Sequence, residues 1–163
     1  MATFDDAFLV VLREEGGLTD DPHDPGGLTK FGISKKAYPY LDIAKLTEAD
    51  AKAIYRKDYW QPVRADEVPA PLALCLFDAA VNMGTGTAVK LLQRALKISD
   101  DGVFGAGTLN AVKAAHLPDL VARFMGQRGV YYSRLSTFGN FGYGWLVRLF
   151  RVTQDAERMA RNA

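Results

Sequence analysis

The sequence predicts a mainly α-helical domain of about eight helices, with room for one small β-hairpin between Leu18 and Ile33. Apolar residues recur at helical spacing through most of the 163 residues, while alternating runs are short and no succession of βαβ units is visible. The stripes are also bracketed by stop and start residues, with threonine or proline ahead of them and glycine or proline behind.

Phe4, Phe8, Val11 and Leu12 form the first stripe, with Thr3 as cap and Gly16-Gly17 as stop. Thr29, Phe31 and the flanking glycines suit the hairpin. Ser34 is placed to cap a short helix through Ala37 and Tyr38, stopped by Pro39. Thr47 followed by Asp50 makes a shortened capping box for a helix over 48–59, with Ala51, Ile54 and Tyr55 on one face. Val68-Pro69-Ala70-Pro71 is a rigid bend that leads into the most apolar segment, a central helix over 71–82 ended by Gly84. A helix from Thr85 or Thr87 to Leu96 follows, then the turn SDDGVFGAGT and a helix from Thr108 to about Ala114. Pro118 opens a segment over 118–135. The glycine-rich and aromatic interval SRLSTFGNFGYGW is expected as an ordered loop, and a last helix as spanning 144–160.

Composition narrows the function classes. An apolar share of 48% with 24% charged residues is that of an ordinary globular protein, large enough to bury roughly two-thirds of its unfolded surface in one domain. With 20 basic and 19 acidic side chains the balance argues against a dominant field of the kind nucleic-acid binding needs, while leaving room for a local basic face. Cys75 is the single cysteine, so no intramolecular disulfide can form. No stretch approaches the ~18 apolar residues of a membrane span. The opening MATFDDAFLVVLREEGG lacks a basic region ahead of its apolar run, so synthesis in the cytoplasm without a signal peptide is expected.

Chemistry concentrates in EEGGLTDDPHDPGGLTKFGI, residues 14–33. Two glycine pairs bound an acidic, proline-stiffened excursion that presents Asp20, Asp21, Asp24 and Thr29 beyond the helix-terminal Glu15. One reading is structural: aspartates capping turns, and a solvated glutamate. The other is a catalytic pair. Glycoside hydrolysis needs one protonated carboxyl at the bridging oxygen and a second group that activates water or stabilises an oxocarbenium-like transition state. Glu15, against a wall of Phe8, Val11 and Leu12, suits the first role. The segment lacks the twelve-residue calcium-loop pattern. His23, Asp24, Cys75 and His116 do not fall in a zinc-enzyme spacing, and Cys75 lies mid-helix in an apolar run where a thiolate is costly.

The same stretch resembles the opening signature of the glycoside hydrolase family 108 N-acetylmuramidases, the secretion-activator and phage-endolysin group. Its usual form is His-Glu-Gly-Gly, then Asp-Pro-x-Asp-Pro-Gly-Gly-x-Thr-x-x-Gly-Ile. The family's catalytic glutamate falls on Glu15, and Glu14 stands where histidine is usual. YRKDYW (55–60) and the block from Phe77, FDAAVNMGTGTAVKLLQRAL, resemble later family blocks. The second half, with DGVFGAGT and FGYGWLVRLFRV, is similar to the family's peptidoglycan domain. The resemblance implies a lysozyme-like fold in a single unit over 1–163, with a peptidoglycan-domain-like region at about 84–160. It implies hydrolysis of the β-1,4 bond between N-acetylmuramic acid and N-acetylglucosamine, with no cofactor and no metal. Glu15, Asp24 and Thr29 are the expected catalytic residues, as acid, charge stabiliser or base, and water-positioning group. The expected partner is the glycan strand of peptidoglycan, reached in the periplasm with a separately encoded holin-type pore for export, without nucleic acid and without stable membrane insertion.

Asp20 and Asp21 rival Asp24 beside Glu15. Tyr55, Tyr59 and Trp60 are candidates for sugar stacking, although aromatics at helical spacing more often form core. Asp78 and Asn82, four apart on the most apolar helix, either tie the structure together or contact an N-acetyl group. The same residues leave open a lytic transglycosylase, which also needs one glutamate, and a non-catalytic wall-binding module.

Overall fold

The computed structural model describes residues 4–16 and 27–161. Among them are seven α-helices and a two-stranded antiparallel sheet, the mainly α architecture expected, with one helix fewer. Helix α1 (Phe4–Glu15) ends at Gly16, whose φ of 78° a glycine adopts without strain. The hairpin joins β1 (Thr29–Lys30) to β2 (Ile33–Ser34), with Thr29 opposite Ser34 and Lys30 opposite Ile33. Phe31 and Gly32, both left-handed at φ 53° and 75°, form the two-residue turn whose twist matches such a ribbon.

The helix expected after Ser34 is one turn only. Ser34 accepts from the Ala37 and Tyr38 amides, through its hydroxyl and carbonyl respectively, and Pro39 stops further winding. Helix α2 (Glu48–Tyr55) starts at the expected capping box: Asp50 N–H donates to the Thr47 hydroxyl (3.2 Å) and Thr47 N–H to the Asp50 carboxylate (2.9 Å). It continues as a π-helical turn, Arg56–Trp60, in which residues five apart share a face. Tyr55 and Trp60 therefore both point inward.

Helix α3 (Ala70–Met83) is the axis of the molecule. Every residue from Pro71 to Ala80 is buried, and α7, α4, α6 and α1 pack around it. Phe4, Phe8, Tyr55, Trp60 and Phe77 meet edge to face beside it; Phe4 lies 5.2 Å from Trp60, and Trp60 lies 5.4 Å from Phe77. Helices α4 (Thr85–Leu96), α5 (Ala106–Ala114) and α6 (Leu117–Ser133) follow. Buried Gln93 holds the DGVFGAGT turn, donating to Asp101 (2.8 Å) and accepting from the Gly102 amide (2.8 Å).

Helix α7 (Phe138–Arg161) corrects the expected loop before residue 144. One of its glycines serves packing rather than flexibility. A Cβ at Gly142 would lie 2.5 Å from ring atoms of Phe138, one turn earlier. Trp145 stacks on Tyr132 of α6 at 5.3 Å.

Candidate active site

Glu15 occupies the last turn of α1 and keeps 22% of its side chain exposed. Three elements meet it. Gly32 of the hairpin turn comes so close that a Cβ there would lie 2.8 Å from Glu15 Cβ. Tyr55 of α2 donates its hydroxyl proton to the Phe31 carbonyl (2.9 Å), fastening the turn in that position. Burial first, and then the charge of Glu15, raise the Tyr55 phenol above its ordinary value, so it remains a donor. Arg148 of α7 donates from Nη1 to Glu15 Oε1 at 2.5 Å. Where an apolar wall of Phe8, Val11 and Leu12 was expected, the group that meets this carboxylate is a guanidinium.

Arg148 does not stand alone. Its Nε and Nη2 both donate to Asp78 Oδ1, at 3.0 and 2.9 Å. Asp78 Oδ2 accepts from Arg128 Nη2 (2.8 Å), and Arg128 also donates to the Tyr132 hydroxyl (3.1 Å). Tyr132 in turn donates to Asn82 Oδ1. Asp78 and Arg128 are fully buried. Burial opposes the Arg148 charge, but Asp78 and Glu15 more than offset it and hold the guanidinium above its ordinary value. Glu15, Arg148, Asp78 and Arg128 therefore alternate in sign from the site into the interior.

Glu14 turns the other way. Its carboxylate accepts from Arg13 Nη2 (2.9 Å) and lies 3.9 Å from Arg151, next to Asp155, which accepts from Arg13 (2.7 Å) and Arg158 (3.1 Å).

The sequence candidates are distributed as follows. Asp20, Asp21, His23 and Asp24 lie outside the described residues. Thr29 stands on β1, where its hydroxyl donates to the Gly27 carbonyl (3.3 Å). Tyr55 and Trp60 are each 2% exposed, so neither ring offers a face to a sugar, and Tyr59 lies half-buried against Tyr55 at 5.6 Å. Asp78 and Asn82 belong to the interior network rather than to an open surface. Cys75 is buried in α3, which pushes its thiol up to about 12, and His116 pairs with Asp119 at the surface.

Arg128 and Arg148 escaped the sequence reading as members of this network, although a signal was present. Arg148 shares a helical face with Trp145, Leu149 and Val152, and Arg128 with Phe124, Met125 and Tyr132. A cation on an otherwise inward stripe calls for a buried acid, and Asp78 is one.

The fold and this arrangement define a mainly α protein with a carboxylate held against an arginine at the end of its first helix. Residues 8–84 match the family described as Glycosyl hydrolase 108, and residues 87–150 match the one described as Predicted Peptidoglycan domain. The solved structure titled "Structure of Brucella abortus SagA" is 35% identical, with a TM-score of 0.87 over 97% of this chain and 95% of that one. No curated protein matches the chain. The chain belongs to glycosyl hydrolase family 108, with a lysozyme-like fold. Family membership makes it a glycoside hydrolase, and the two matched segments together support hydrolysis of peptidoglycan.

Proposed function

We propose that the chain is an N-acetylmuramidase that cleaves the β-1,4 bond between N-acetylmuramic acid and N-acetylglucosamine, with Glu15 as general acid. The observation that carries this reading is a partly exposed carboxyl at the end of α1, pressed by the hairpin turn and bonded to Arg148 through Oε1. Oε2 is the oxygen assigned to the glycosidic link. Its proton passes to the bridging oxygen as the C–O bond breaks, and positive charge develops on the anomeric carbon and ring oxygen. Asp24 is assigned the opposing carboxylate, stabilising that charge or accepting a proton from water, with Asp20 and Asp21 as its rivals. Thr29 orients the water. Tyr59 is the aromatic residue of YRKDYW left with partial exposure for substrate contact.

The whole chain acts as one unit on the glycan strand, without a cofactor, in the periplasm of the cell whose wall it degrades. No described helix is long and apolar enough to cross a membrane. A separately encoded pore supplies passage.

Glu15→Gln keeps the shape of the side chain and removes its acidity. On purified peptidoglycan it should lose about 10²–10⁴-fold in rate. Mass spectrometry of the wild-type digest should show reducing muramic acid ends. An E15Q protein as fast as wild type would end the acid assignment, and anhydro-muramic ends would make the enzyme a lytic transglycosylase.

A further inference from the structure

The α7 stripe of Trp145, Arg148, Leu149 and Val152 faces the core, so Arg148 places a long cation where the neighbouring positions pack; its side chain is 11% exposed. Removing a charge from water costs several kcal/mol unless partners replace the solvent. The partners here come from distant parts of the chain. Glu15 is 133 residues away in sequence and Asp78 is 70, one in the last turn of α1 and the other on the central helix α3. A guanidinium is planar, and its five N–H groups leave at fixed angles. With Nε and Nη2 both committed to Asp78 Oδ1, the plane of Arg148 is set, and with it the direction from which Nη1 reaches Glu15. Asp78 is itself pinned by Arg128 through its other oxygen. Glu15, by contrast, is followed by Gly16 in a left-handed conformation at the point where the helix ends. A flexible carboxylate at a helix terminus gains a fixed rotamer from a rigid fork anchored in the interior.

We propose that Arg148 is a positioning residue for the hydrolysis: it holds Oε1 of Glu15 so that Oε2 meets the glycosidic oxygen, and Asp78 sets the angle of its guanidinium. The segment matched as a peptidoglycan domain thereby supplies part of the catalytic site in addition to any wall contact. This inference rests on Glu15 being the acid.

The test uses Arg148→Gln, Arg148→Lys and Glu15→Gln beside wild type, with kcat and KM measured on soluble uncross-linked glycan strands and folding followed by thermal melting. R148Q should lower kcat about 10²-fold, the scale for a reacting group displaced by an ångström, with KM unchanged. Millimolar guanidinium, far below denaturing concentration, should restore part of R148Q activity and none of E15Q. R148K keeps the charge but loses the fork, so its kcat should fall between R148Q and wild type. Should R148Q fail to fold, R148K decides alone. Wild-type kcat in either folded variant while E15Q is inactive overturns the positioning role and leaves the acid standing. A rise in KM with unchanged kcat also overturns it, because Arg148 would then be holding substrate. An active E15Q removes the acid itself, whatever the arginine variants do.

Discussion

Glu14 and Glu15 are neighbours at the end of α1, and each meets arginine from α7 and has an aspartate nearby. The two clusters nevertheless differ in kind. Around Glu14 the arginines are largely in water, with Arg13, Arg151 and Arg158 side chains 52%, 61% and 69% exposed. Around Glu15 the arginine is 11% exposed and the aspartate behind it is at 0%. Arginines in water are screened and keep their rotamer freedom, so they fix little. A desolvated fork between two acids can hold only a narrow range of geometries, since any misplacement leaves a charge uncompensated. The Glu14 side chain is itself only 7% exposed, so the clusters differ in their arginines: a guanidinium fixed by a second, buried acid constrains its carboxylate, whereas arginines in water constrain theirs less.

Asp78→Asn attacks the buried cluster at its centre and should have the largest effect. It leaves Arg128 and Arg148 facing each other with one acid fewer, and breaking a buried pair costs about 3–5 kcal/mol. Urea denaturation reads that loss directly. A change below about 1 kcal/mol, the ceiling for exposed pairs, would erase the contrast between the two clusters.

Gly32→Ala probes the wall rather than the charge. The left-handed backbone alone costs a side chain about 1–2 kcal/mol, and the new Cβ would push on Tyr55 Oη and Glu15 Cβ. Activity should fall more than stability does, by about 10²-fold in kcat. Equal activity in a folded G32A protein would mean that the hairpin turn does not bear on the acid. The smallest effect on activity is expected for Glu14→Gln, which removes a largely buried carboxylate whose arginine partners are solvated. Stability should fall by less than for Asp78→Asn, and kcat should not move. A large loss of kcat would instead assign this position, where the family usually carries histidine, to the chemistry.

Much of the helical frame was legible because periodic apolar residues and their caps act locally. The Thr47 box, the stop at Gly84 and the buried run of α3 all follow from neighbours within a few positions. The misreading of residues 138–143 has a specific cause. Three glycines among aromatics suggested a loop, whereas Gly142 makes room for Phe138 within the helix. That use of glycine depends on where the rings go. Tyr55 and Trp60 were legible as aromatic and helical, but the π turn that sends both into the core was not.

From its residues alone this chain determines a mainly helical fold and an acidic glycine-bounded stretch after the first helix, and that stretch resembles a family signature whose glutamate falls on Glu15. Those are properties of local spacing and of a motif contiguous in sequence. Only the tertiary structure decided that Glu15 and Glu14 part company, that Asp78 faces inward to receive two arginines, and that one of these, Arg148, reaches the acid. Local periodicity can tell which face of a helix a residue occupies. Which charge waits on the other side is set by how α1, α3 and α7 pack, since the buried guanidinium requires compensating acids wherever along the chain they arise.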